Sequence, residues 1–175
     1  MTGRNVEQKT HKVFLALGTN LGDRLNHLEE AQKRLSPGVS ILSASPVYET
    51  PPWGYSYQPA FLNQVLEVET ELAPLDLLDY VKDIEKQLGR VRSFRNGPRL
   101  IDIDILFYDD LLLKEHGLAI PHPRLHERAF VLVPLHDIAP NLRHPNFGKT
   151  VREMLEEVDR VGIELVDMKG AASEE

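Results

Sequence analysis

The sequence predicts an α+β domain, an antiparallel sheet with two helices on one face and extra helices toward the C-terminus. Three observations carry this. Apolar residues recur with period two or period 3.6 in six successive segments, which read strand, helix, strand, strand, helix, strand. Glycine and proline punctuate the joints between them. The 175 residues are one domain's length, with no internal repeat and no linker that divides the chain. That order is the split βαββαβ arrangement of ferredoxin-like domains.

Taken in order, residues 1–11 are polar and aperiodic and read as a disordered leader, followed by one domain over 12–167 and a polar tail over 168–175. Val13 to Leu17 is a short buried strand ending at Gly18, and Thr19-Asn20-Leu21-Gly22 is a turn. A helix from about Asp23 carries Leu25, Leu28 and Leu35 on one side and stops at Ser36-Pro37-Gly38. Val39 to Ser43 and Val47-Tyr48 form an extended segment that Pro46 interrupts. Thr50-Pro51-Pro52-Trp53-Gly54 opens an irregular aromatic stretch through Tyr55, Tyr57 and Pro59, of the kind that is usually functional inside a compact domain.

Phe61 to Thr70 alternates as a strand, with Phe61, Asn63 and Val65 on one face. Pro74 opens the second helix, whose buried stripe is Leu77, Leu78, Val81, Ile84 and Leu88, and Gly89 ends it. An arginine-rich loop covers about 90 to 99, and a strand about 100 to 108. Asp109-Asp110 turns into Leu111-Leu112-Leu113, and Ile120-Pro121-His122-Pro123 is a rigid extended loop. Ala129 to Ile138 is a buried, helical segment disturbed by Pro134. Thr150 and Glu153 form a capping box for a short helix to about Val158, and Ile163 to Val166 is a last strand.

Composition narrows the function. There is no cysteine, which excludes disulfides, thiolate zinc sites and cysteine nucleophiles. The net charge of −7 argues against general nucleic-acid binding. No run approaches the ~18 apolar residues of a membrane span, and no signal-peptide pattern opens the chain, so a cytoplasmic location is expected.

The chemistry concentrates between Arg95 and Leu106. On a strand, Asp102 and Asp104 share one face while Ile101, Ile103 and Ile105 share the other. Two neighbouring carboxylates repel unless something offsets them, and a hard cation such as Mg²⁺ does so while taking phosphate oxygens as further ligands. The alternative is an amphipathic strand with a solvated acidic face. Against the acidic background, Arg90, Arg92, Arg95 and Arg99 fall within ten positions. Arginine's planar fork suits phosphate oxygens, and a local anion site is the reading favoured over a solvated loop.

Other motifs carry weaker signals. Gly18 to Gly22 follows a strand and opens a helix, but no Lys-Ser/Thr pair follows; Gly148-Lys149-Thr150 has that ending, with arginine at 143 in place of the first glycine. Neither is a phosphate-binding Walker loop, and the first is a tight turn that can line a site. His122 and His126 are four apart, but Pro121 and Pro123 disfavour the helix that would bring them together, so zinc is the weaker reading. His122 near phosphates could instead donate to an oxygen. Phe61 and Asn63 pair a flat stacking surface with a donor-acceptor edge, which suits a planar heterocycle with an amide edge.

At this point the chain resembles the 6-hydroxymethyl-7,8-dihydropterin pyrophosphokinase (HPPK) family of folate synthesis, over about Val13 to Glu157. The motifs are Ala16-Leu-Gly-Thr-Asn-Leu-Gly22, Tyr48-Glu-Thr-Pro-Pro52, Phe61-Leu-Asn63, Gly89-Arg-Val-Arg92, the Arg95-to-Leu106 signature, and Pro121-His-Pro-Arg-Leu-His-Glu-Arg-Ala-Phe130. The resemblance implies transfer of diphosphate from ATP to the pterin hydroxymethyl group, leaving AMP. It implies that Asp102 and Asp104 bind two Mg²⁺ ions and that Arg90 and Arg92 act with them in catalysis. Arg90, Arg92, Arg99, Ile105, His122 and Arg128 would lie on the ATP side. Phe61 and Phe130 would sandwich the pterin ring, with Asn63 and the backbone of Thr50 and Trp53 on its edge. Asn96 stands where members often carry an aromatic in the lid loop, and Pro123 where some bear tyrosine.

The expected partners are therefore small molecules, ATP and the pterin, with no nucleic acid and no membrane, and the expected state is a stand-alone monomer. The rival from another class is a non-catalytic ferredoxin-like module that binds a nucleotide or a partner. A rival enzyme class is nucleotidyl transfer, which would release pyrophosphate instead of AMP.

Overall fold

A computed structural model describes residues 9–52, 57–89 and 100–166 of the chain. Its centre is β1, His11–Thr19, which pairs antiparallel with β4, Phe61–Thr70, on one side and with β5, Asp102–Tyr108, on the other. Val13, Leu15 and Leu17 face one apolar layer and Phe14 the other, so the strand is apolar on both sides because both sides are covered. β1 starts at His11, two residues before the predicted start, so His11 belongs to the sheet and not to the leader.

The extended segment after the first helix becomes two strands, β2 (Val39–Ala44) and β3 (Tyr48–Thr50), both antiparallel to β4. Pro46 has no N–H to give the ladder. Ser45 bridges the gap: its N–H donates to the Val65 carbonyl at 2.9 Å, and its hydroxyl accepts the Val65 N–H at 2.9 Å. The order is β5-β1-β4-β3, with β2 also on β4, and the two-residue β8 (Glu164–Leu165) adds to β3.

Helices α1 (Arg24–Leu35) and α2 (Pro74–Gln87) cover one face of this sheet. Asp23 caps α1 by accepting the Asn26 N–H, and Leu28, Ala31 and Leu35 form its buried stripe. Pro74 opens α2 as predicted, and Gly89 ends it at φ +93°, a value that glycine adopts without strain. Leu77, Val81 and Ile84 are buried; Leu78 and Leu88 are only partly so, and Glu85 takes a buried place that periodicity did not assign.

The opposite face is covered by α3 (Ala129–Ile138) and α4 (Val151–Glu156), packed on Phe14, Val65, Leu106 and Phe107. Pro134 does not break α3; it leaves the Phe130 carbonyl without an i+4 donor, in the first turn of the helix. Thr150 and Glu153 make the predicted capping box, with the Thr150 N–H on the Glu153 carboxylate at 2.8 Å. Leu113–Glu115 and Leu118–Ile120 form a hairpin, β6 and β7, that was not predicted. His116 and Gly117 turn it at φ +48° and +80°, the two positive values of a type I′ turn.

Candidate active site

Between the sheet and α3 lies an open cleft. Its floor is set by β1, where Gly18 and Ala16 place almost no side chain. Gly18 stands opposite Asp102 on one neighbour and Asn63 on the other, and Ala16 stands opposite Asp104 and Val65. The acidic row of β5 and the polar-aromatic row of β4 thus flank a bare strip, about 10 Å apart across two strand spacings. Asp102, Asp104, Phe61 and Asn63 all line the cleft, while Ile101, Ile103 and Ile105 point to the helical layer, as period two requires.

The floor glycine is a matter of space. A Cβ at Gly18 would sit 3.0 Å from Asn63 Oδ1. That amide is held in turn: its Nδ2 donates to the Thr50 hydroxyl at 2.5 Å, and both residues are buried. Thr50 comes from the end of β3, opposite Phe61. Arg128, Phe130 and Val131 enter from the start of α3 and form the roof, and the Arg128 guanidinium lies 5.5 Å from the Phe130 ring centroid, a cation–π distance. The Tyr48 hydroxyl donates to Asp137, which fastens β3 to α3, and burial together with that carboxylate pushes the phenol up to about 12.

The electrostatics of the acid pair follow from its neighbours. Burial, then the Asp102 charge, push Asp104 from an ordinary 3.8 up to about 7; Glu85 adds to the rise, and Lys82 and Arg128 oppose it. Among the described residues no group of three or more histidine or carboxylate side chains is placed to hold a metal. Two carboxylates without a third fit a hard cation that completes its shell with water and phosphate, and do not fit a closed structural site.

The raised Asp104 value has a consequence for the metal-free protein. Between about pH 4 and pH 7 the folded state holds a proton that the unfolded state has lost, so stability falls as pH rises through that window. Asp104→Asn removes the penalty. In a chelator at pH 8 this variant is expected to be more stable than wild type by about 1–3 kcal/mol. The gap should narrow at pH 5, and urea unfolding at both pH values measures it. Equal stabilities at pH 8 would mean that the pair is not strained.

His122 is docked on the edge of β5, its N–H donating to the Leu106 carbonyl at 3.0 Å. Its Nδ1 accepts the Arg124 N–H at 3.2 Å, which leaves the ring proton on Nε2. Burial and then Arg128 hold its pKa down at about 4, with Asp102 opposing and Arg124 adding to the fall. His122 is therefore a neutral Nε2–H donor at neutral pH. His126 does not join it, and packs edge-on against Phe147 at 4.9 Å.

Ile105 is among the residues that the resemblance puts on the ATP side. Its side chain is buried in the α1–α2 layer and lines no part of the cleft, so only its main chain can meet a ligand. Arg90, Arg92, Arg95, Asn96, Arg99, Trp53 and Tyr55 lie outside the described residues. The sequence did not single out Ala16 or Val131 as lining residues, and it put Gly18 at the end of the first strand, in a tight turn that can line a site. The signal for Gly18 was a glycine inside a strand pattern, which marks a close approach of another group. It also passed over Asn20, buried and donating to Gln58 Oε1 at 2.8 Å and the Pro59 carbonyl at 3.0 Å, which ties the first turn to the loop before β4.

The chain is similar to known proteins in sequence and in fold. Residues 14–140 match the family model of 7,8-dihydro-6-hydroxymethylpterin-pyrophosphokinase, HPPK. The chain is 46% identical over 158 residues to the 2-amino-4-hydroxy-6-hydroxymethyldihydropteridine pyrophosphokinase of Methylorubrum extorquens, covering 89% of this chain and 99% of that one. The enzyme of that name from Aquifex aeolicus is 43% identical over 141 residues, 81% of this chain and 88% of the other. The folic acid synthesis protein FOL1 of Dictyostelium discoideum is 49% identical over 142 residues, 81% of this chain but only 22% of that much longer protein. In fold, a Plasmodium falciparum HPPK-DHPS structure superposes with a TM-score of 0.72 at 20% identity, over 87% of this chain and 46% of that chain. The matched span runs from β1 to the end of α3 and so takes in every strand and helix that lines the cleft: the chain belongs to the HPPK family.

Proposed function

We propose that this chain transfers the diphosphate group of ATP to the hydroxymethyl group of 6-hydroxymethyl-7,8-dihydropterin in folate biosynthesis. The substrate oxygen bonds to the β-phosphorus, the bond from that phosphorus to the α–β bridging oxygen breaks, and AMP leaves with that oxygen while the hydroxyl proton is lost. The observation that carries the reading is the cleft itself, where an acidic row and a ring-binding row face each other across Gly18.

In this reading Phe61 and Phe130 stack on the pterin, and Asn63, held by Thr50, meets its amide edge. Asp102 and Asp104 hold Mg²⁺, two ions on this proposal, which neutralise developing charge on the phosphates. His122 donates its Nε2–H to a phosphate oxygen, Arg128 faces the same anion, and the outward main chain of Ile105 offers the nucleotide its polar groups. Arg90, Arg92 and Arg99 complete the phosphate side. The strand order β5-β1-β4-β2, with a helix after β1 and another after β4, supports a ferredoxin-like core, and we take 12–167 as the catalytic domain and 168–175 as a tail. A cytoplasmic monomer is the working state; no described helix is long and apolar enough to cross a membrane.

The test is an assay with ATP, Mg²⁺ and the pterin that resolves AMP, ADP and pyrophosphate. Pterin-dependent AMP is the expected product. ADP or pyrophosphate would replace this chemistry by single phosphoryl or nucleotidyl transfer, and no turnover with intact pterin binding would leave a binding module. The floor gives a second expected result. Gly18→Ala pushes Asn63 off the ring edge and should raise the KM for pterin about tenfold, for a loss near 1–2 kcal/mol. The KM for ATP should change little, and equal changes in both would mean that the floor serves neither substrate selectively.

A further inference from the structure

Glu85 is a buried acid for which this chemistry has no use. It lies near the end of α2 and is 2% exposed, and its Oε2 accepts the Ile103 N–H at 2.7 Å. Lys82 Nζ is 3.5 Å from each carboxylate oxygen. A carboxylate in an apolar layer is costly unless hydrogen-bonded and paired, so a helix that needed only to fill this place would carry leucine.

Among the described residues β5 is an edge strand, paired with β1 on one side only. In an antiparallel strand, successive residues turn their N–H and C=O groups to alternate sides. Asp102 and Asp104 stand opposite Gly18 and Ala16, and the intervening Ile103 turns its N–H outward to α2. Glu85 supplies there the acceptor that a neighbouring strand would provide, at the residue between the two aspartates. Without it the edge could bow outward and relieve the repulsion of the acid pair by moving it.

We propose that Glu85 is a positioning residue for the acidic pair, pinning the β5 backbone at Ile103 so that Asp102 and Asp104 meet a divalent cation from a strand that does not give way. The inference rests on the reading of those two aspartates as cation ligands.

Two substitutions separate reach from charge: Glu85→Gln keeps the reach and loses the charge, and Glu85→Asp keeps the charge and loses the reach. Mn²⁺ binding in the presence of α,β-methylene ATP, followed by electron paramagnetic resonance, reads cation affinity without turnover. Hydrogen exchange of the Ile103 amide reads the anchor. Glu85→Gln should bind Mn²⁺ within about threefold of wild type with the amide protected, and Glu85→Asp about tenfold more weakly with the amide exchanging faster. Leu28→Ala, in the α1 core, should lower stability without moving the Mn²⁺ midpoint. Wild-type affinity in Glu85→Asp overturns the proposal, and so does a tenfold loss in Glu85→Gln with the amide still protected. No Mn²⁺ binding by the wild type would instead overturn the reading of the acid pair, a distinct failure.

Discussion

Alanine at Asp102 or at Asp104 is expected to lower AMP formation by about 10³-fold, since a metal that neutralises phosphoryl charge is worth several kcal/mol in the transition state. Both side chains line the cleft from one strand face, and neither belongs to an apolar layer, so the fold should survive either change. The Phe61–Asn63 row proposed for the pterin lies two strands away, so pterin affinity in the absence of ATP should stay within a few-fold. Rate measurements across a Mg²⁺ series, beside pterin binding by fluorescence, check both halves. Retained activity in either variant would reduce the acidic face of β5 to a solvated edge. Loss of pterin binding as well would mean that the two rows are mechanically coupled through Gly18.

The second large effect concerns stability. Phe107 is 1% exposed in the layer between the sheet and α3–α4, edge-on to Phe14 at 6.3 Å and to His144 at 5.7 Å. Phe107→Ala is expected to cost about 3–5 kcal/mol, because the lost ring leaves a cavity that two flanking rings and the sheet cannot fill. That is a large part of a typical total of about 5–15 kcal/mol. Urea unfolding should show it as a lower midpoint at unchanged slope, and thermal unfolding as a fall of roughly 10 °C. A cost below ~1 kcal/mol would mean that α3 and α4 repack freely over the sheet. The roof of the cleft rides on this layer through Phe130 and Val131, so such freedom would also undo the proposed ring site.

Much of the candidate site's geometry was legible because its key relations are local. Period two alone puts Asp102 with Asp104 and Phe61 with Asn63, whatever the strands pair with. The same logic placed the Thr150–Glu153 capping box and the proline start of α2, each a matter of a few neighbouring backbone groups. Local signals misled in two places, for different reasons. Pro134 reads as a helix disturbance, but burial of α3 against the sheet outweighs one missing hydrogen bond. The β6–β7 hairpin hides in a leucine run because its turn residues are His116 and Gly117 rather than a familiar asparagine-glycine pair.

What the sequence by itself determined, then, is which side chains share a face and which segments can be strand or helix, since these depend on backbone geometry within a few residues. Only the tertiary structure decided that the acidic face and the Phe61–Asn63 face flank one strand, that Gly18 must be bare to let Asn63 pass, and that Glu85 stands behind Ile103. Strand order and the approach of a helix to a sheet edge join residues dozens of positions apart. They are settled by the burial of the whole core, and no local period records them.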